Sequence, residues 1–256
     1  MSLSNIIFGT EGMQYEHTSD KRLPFGARMV FPDGREFVYG QAGGTALTTA
    51  TLVQQAVVTT GHTKDLVVAA SAAIGATSVT VTNSTTAITA NMYAEGHLFV
   101  NDAGGEGYMY IIKSHPAEST GTGTCVFTLE EGSALRVAVT ITTSEVGLRK
   151  HLCDEVVVAP TTFTGALVGV AVRAMTENYY GWFLTKGAAP ILTNGTVIVG
   201  RAVSRSATTA GAVDTYPVTL SEGTPNTYTT NDHLKIGTVM SVGGTTEYSL
   251  VNFNIN

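Results

Sequence analysis

The chain of 256 residues is 43% hydrophobic but only 13% charged, about half the usual ~25%. Its net charge of −6 and pI near 5.5 exclude a broad electrostatic attraction to nucleic acid, which needs concentrated lysine and arginine. No run of about 18 apolar residues occurs, and the start MSLSNIIFGTEG lacks the basic and long apolar regions of a signal peptide, so neither a membrane span nor a leader is expected.

Residues 1–28 keep no period of 2 or 3.6 and read as an extended arm, with a small basic cluster at Lys21, Arg22 and Arg28. PDGRE at 32–36 reads as a tight turn, because Asp and Gly tolerate backbone that bulkier residues resist. The best helical candidate is TALTTATLVQQAVV at 45–58, yet its β-branched residues suit an extended chain equally well. Strand patterns then follow at SVTVT (78–82), FVNDAGGEGYMYII (99–112, a hairpin bent at its glycines), CVFTL (125–129) and VAVTIT (137–142). PAESTGTG (116–123) reads as a loop.

Further strands are expected at EVVVA (155–159), LVGVAVRAM (167–175), YYGWFLT (179–185), TVIVGRAVS (196–204), KIGTVMSV (235–242) and EYSLVNFNI (247–255). Asn-Gly in LTNGTV (192–197) signals a hairpin, VGGTTEY (242–248) a second, and 204–232 a long low-charge excursion. Short β-branched runs between Gly, Pro, Asn and Ser clusters describe an all-β protein. The expected architecture is an antiparallel sandwich or barrel of many short strands with an extended N-terminal arm.

Reactive side chains do not assemble into any recognised catalytic or cofactor motif, and none is assigned. Gly104, Gly105 and Gly107 miss the dinucleotide spacing and sit between strands, away from any helix N-terminus. The six histidines show no zinc spacing; His97 and His115 alone have a chance to meet, across the hairpin at 104–105. Asp102 and Glu106 supply too few oxygens for calcium, and no metal site is expected. His151 and Cys153 share a strand face, but a nucleophile needs an oriented base and an oxyanion site that the sequence does not identify. Cys125 and Cys153 are too few for a disulfide framework and point to a reducing compartment, although pairing across strands stays open. The sequons at Asn83 and Asn194 read as chance matches. Alternation places Tyr180 and Trp182 on one face and Tyr179 and Phe183 on the other. Tyr180, Trp182 and Phe183 are expected in a core or subunit interface, with a sugar-stacking platform as the alternative.

From 155 onward the order EVVVAPTTFTGALVGVAVRAM, YYGWFLTKGAAPILTNGTVIVGRAVSRSATTAGAV and KIGTVMSVGGTTEYSLVNFNI resembles the body of bacteriophage head-decoration (capsid cement) proteins. GREFVYGQAGGTALTTATLVQ (34–54) resembles the opening of such virion proteins. The resemblance implies a main β domain at 29–59 and 151–256, with 60–150 as a β-rich insertion. It further implies a non-enzymatic homotrimer on the outer capsid, made in the bacterial cytoplasm and bridging major capsid protein subunits. Within KRLPFGARM, Lys21, Arg22, Phe25 and Arg28 are then the expected arm anchors, since arginine and aromatic residues dominate interface hot spots. Two rival readings are a carbohydrate- or receptor-binding module of a fibre or tail, which requires Tyr180 and Trp182 exposed, and a β-sandwich hydrolase using a Cys-His or His-Asp site.

Overall fold

A computed structural model of the protein describes residues 6–119, 123–216, 234–244 and 247–255. They are almost entirely β, with one 3-10 turn at Met13–Tyr15 and no α-helix among the described residues. The chain divides into two units, Met1–Ala56 with Cys153–Asn256, and Val57–Leu152. The insertion expected over 60–150 falls within the second.

Strands β1 (Ile6–Phe8), β2 (His17–Thr18), β3 (Arg28–Val30), β4 (Glu36–Gln41) and β5 (Thr51–Gln54) open the first unit. The second unit contributes β6 (Leu66–Ala70), β7 (Ser78–Thr82), β8 (His97–Asp102), β9 (Met109–Ser114), β10 (Thr124–Leu129) and β11 (Glu145–Arg149). The first unit resumes with β12 (Val157–Val158), β13 (Leu167–Ala171), β14 (Tyr180–Leu192), β15 (Ala202–Arg205), β16 (Val213–Thr215), β17 (Gly237–Ser241) and β18 (Tyr248–Asn254).

In the first unit the strands run β1-β3-β4-β14-β18-β17-β15-β16, and β14 organises the rest. One edge of β14 carries β4, while β13 and β18 follow one another along the other. Both its faces are covered, which is why GWFLT is a continuous buried run with no alternation. Trp182 and Leu184 enter a cluster with Met29, Phe37 and Phe253, while Phe183 enters another with Val53, Val168 and Cys153. PDGRE turns as expected: Phe31 N–H donates to the Arg35 carbonyl (2.9 Å), and Gly34 takes φ 85°, a left-handed value that disfavours a side chain.

The second unit closes as a barrel in the order β10-β7-β6-β11-β8-β9. Alternate residues fill it: Val79 and Val81, Leu98 and Val100, Tyr110 and Ile112, and Cys125, Phe127 and Leu129 are all buried. The glycine-rich tip joins β8 to β9 as a hairpin, pairing Leu98 with Tyr110, with Gly105 at φ 89° and Gly107 at φ 83°.

Several local expectations are corrected. VAVTIT at 137–142 is not a strand. Val139 makes one isolated bridge to Ala72, and Thr142 at φ 64° turns the chain within a Thr140–Ser144 loop closed by hydrogen bonds from Thr140 N–H to Ser144 Oγ and from Ser144 N–H to the Thr140 carbonyl. Asn194-Gly195 turns the chain, but its flanking strands do not pair, because β18 and β17 lie between β14 and β15. The run 196–204 is strand only from Ala202, and 45–58 is no helix: it turns at Ala50 (φ 57°) and then forms β5. Residues 120–122 and 217–232 of the two expected loops lie outside the described residues. From Ile6 onward the N-terminal stretch is not a loose arm: β1 pairs parallel with β3, β2 pairs with β14, and Gln14 and Ala27 are buried.

Candidate functional site

Three of the four residues expected as arm anchors, Lys21, Arg22 and Phe25, lie against aromatic side chains of β4 and β14 in the first unit, whereas Arg28, opposite Val38, sits on the other face of the sheet. Register sets Trp182 opposite Tyr39 and Tyr180 opposite Gln41, so Tyr39, Tyr180 and Trp182 share a face. Tyr39 meets Trp182 edge-on at 5.3 Å and stacks with Tyr180 at 6.2 Å, and Phe25 stacks on the other side of Tyr180 at 6.2 Å. Lys21 Nζ lies 3.4 Å from the Phe25 ring centre, a cation–π contact. Arg22 is exposed and its backbone N–H donates to the Tyr39 hydroxyl (3.1 Å). An aromatic row running out of the core thus ends beneath Lys21, with the Arg22 backbone beside it at Tyr39.

Arg28 lies on β3, across from β4. Glu36 binds both Arg28 and Lys186, the latter at 3.1 Å. The Lys186 ammonium and then the Arg28 guanidinium hold the Glu36 carboxyl below the usual carboxylate range. These groups line a cleft of about 470 Å³ with Gly26, Val38 and Thr185. An ionised carboxylate clamped by two cations is a poor general base, whereas two half-exposed cations on one acid leave a local positive excess able to meet a partner's carboxylate. Glu36 and Lys186 were missed as a pair from sequence, since nothing in it links positions 150 residues apart.

The remaining expectations separate. Trp182 is 7% exposed and Phe183 fully buried, while Tyr180 is covered by Phe25 and Tyr39, so the pair Tyr180 and Trp182 presents no open platform. Cys153 packs among Ala42, Leu47 and Phe183, and burial pushes its thiol up to about 12, far from the thiolate a nucleophile requires. His151 instead stacks with His97 at 6.4 Å, and His97 does not meet His115. Cys125 and Cys153 are both buried and form no disulfide with one another. Asp102 accepts from the Ala103 N–H of its own turn (2.8 Å), and no group of three metal-ligating side chains exists among the described residues. Asn83 is buried and its amide donates to the Ser119 carbonyl (2.8 Å), which leaves no room for a glycan.

One polar cluster has no signal in the sequence. Inside the second unit His62 Nδ1 lies 2.7 Å from the Tyr93 hydroxyl, and Tyr93 N–H donates to His115 Nε2 (2.9 Å). His115 Nδ1 faces the Pro116 carbonyl at 2.9 Å, and Cys125 Sγ lies 3.9 Å from it. Every side chain of the cluster is buried and hydrogen-bonded, the arrangement of a core network. Compared with protein-family models, with curated proteins and with solved structures, the chain matches none.

Proposed function

We propose that this chain is a non-enzymatic structural protein of a phage virion, a head-decoration protein that binds the outer capsid surface and bridges major capsid protein subunits as a homotrimer. The resemblance of 34–54 and 155–255 to such proteins supports the reading. One geometric observation carries it: exposed Lys21 caps the Phe25 end of a packed aromatic row and exposed Arg22 lies beside its Tyr39, on a protein whose net charge is −6. A positive edge on an acidic protein is a directional contact, and a row already packed in the free chain loses little side-chain entropy on docking. The mechanism is adhesion by a preformed surface, and no folding of a loose arm is required.

The test is co-sedimentation with purified capsids. Deleting residues 1–28 is a blunt tool, because β1, β2 and Ala27 belong to the first unit. Lys21→Glu with Arg22→Glu gives up the Lys21 cation–π contact but keeps the aromatic row and the Arg22 backbone hydrogen bond to Tyr39. It is expected to weaken capsid binding roughly tenfold, about 1.4 kcal/mol, more at low salt than at high. If the unaltered protein binds no capsid at any salt concentration, the reading fails.

A further inference from the structure

Among the described residues the sheet of the first unit ends at β1, and its hydrogen-bonding pattern shows which groups that strand turns away from β3. On β3, Ala27, Met29 and Phe31 turn toward β4, since Tyr39 N–H donates to the Ala27 carbonyl (2.8 Å) and Phe31 N–H to the Arg35 carbonyl (2.9 Å). Arg28 and Val30 therefore face β1, where they engage Ile7 and Gly9; Gly9 N–H donates to the Val30 carbonyl at 2.9 Å. The N–H and C=O groups of Ile6 and Phe8 point the other way, off the edge of the sheet. The same two residues are exposed, Ile6 at 45% and Phe8 at 85%, the latter the highest among the large apolar side chains described.

Natural edges are guarded by lysine, proline, a bulge or a covering segment. The strand IIF has neither lysine nor proline, and its pairing with β3 has no register shift. The opposite end of the sheet differs: Asn194 N–H donates to the Val213 carbonyl (2.9 Å), so β16 is partly covered.

We infer that β1 is a self-association edge whose occupant is β1 of a second copy, joined antiparallel about a two-fold axis at Ile7. The spacing is self-complementary. With Ile7 on the axis, Ile6 stands opposite Phe8 of the second copy and Phe8 opposite its Ile6. Each such pair exchanges both of its N–H···O bonds. The exposed side chains then cover one another, apolar on apolar, with no like charges opposed. A heterologous partner strand has no such symmetry to match. The contact is small, well under the ~1,200 Å² of stable interfaces, so it forms with rising concentration. Self-pairing of this edge does not depend on capsid binding.

Sedimentation of the full chain with hydrogen exchange at Ile6 and Phe8 tests it. The mass is expected to double with concentration, starting from the 26.8 kDa chain or from the homotrimer proposed above, while exchange at these two amides slows in step. Phe8→Pro removes only an outward N–H, at an edge where proline is tolerated, and is expected to abolish the doubling. Phe8→Lys, which keeps the backbone bonds but guards the edge, serves if the proline variant folds poorly. A mass that does not change with concentration, or a doubling that survives both substitutions, overturns the inference. So does protection of Ile6 and Phe8 only when capsid protein is added, which assigns the edge to that partner instead.

Discussion

His115 shows how a single side chain can commit a unit to neutral pH. The Tyr93 N–H can only donate, so His115 Nε2 must accept, and the proton resides on Nδ1 facing the Pro116 carbonyl. A second proton on Nε2 would oppose that N–H directly. Burial lowers the His115 pKa, only partly offset by the Pro116 carbonyl, and burial lowers that of His97 in the same unit. The other titratable neighbours are His62, Tyr93, Cys125 and Glu118, the first three within the hydrogen-bonded cluster. The unfolded chain therefore takes up the proton first. The stabilisation is complete above the ordinary histidine value of ~6.5 and is lost as pH falls through it toward the folded pKa. The denaturation midpoint of the second unit is expected to be flat above about pH 7 and to decline below ~6.5, less steeply in His115→Gln, which removes one titrating group and keeps an acceptor. A midpoint equal at both ends of that range contradicts this. From sequence His115 pairs only with His97, because hairpin symmetry is visible there and the 83–96 connection that carries Tyr93 to it is not.

Strand β11 was not anticipated, and Gly147 is the reason. EVGLR has a charge at each end and a glycine at its centre, which reads as a break in a strand. In the barrel that glycine is where backbone and ring approach: a Cβ there would strike the Thr63 carbonyl and the Phe99 ring. Gly147→Ala is accordingly expected to destabilise the second unit by about 1–3 kcal/mol, the cost of overpacking, read from its chemical denaturation curve. An unchanged curve would mean the approach is looser than described. Elements with clean alternation were legible, as SVTVT at β7 and EYSLVNFNI around β18 show. Strand ends were not, because a left-handed residue decides them: Glu155 at φ 51° delays β12, and Thr142 at φ 64° removes the strand expected at 137–142. The full 13-residue length of β14 was hidden too, since its second half, KGAAPIL, is held by β18 and has little strand character of its own.

At the scale of the whole molecule, the two units keep separate buried cores. They are expected to melt in two transitions, and Phe127→Ala, which empties the barrel interior, to lower only one of them by about 3–5 kcal/mol. A single transition shifted as a whole would show the two to be one cooperative block. The all-β class followed from composition and turn spacing and the insertion from the family resemblance, whereas sheet order did not, because β14 finds partners on β2, β4, β13 and β18 from all along the chain. The position of the insertion has one more consequence. The chain leaves the first unit just after β5 and returns at β12, and these strands are paired, Gln54 with Val157. The two ends of the detour are therefore already held together by the sheet, and lengthening a closed loop costs only about 0.6 kcal/mol per doubling. That junction is a splice point: a different folded cargo, or a short turn, can be grafted there without rewriting the scaffold that carries it.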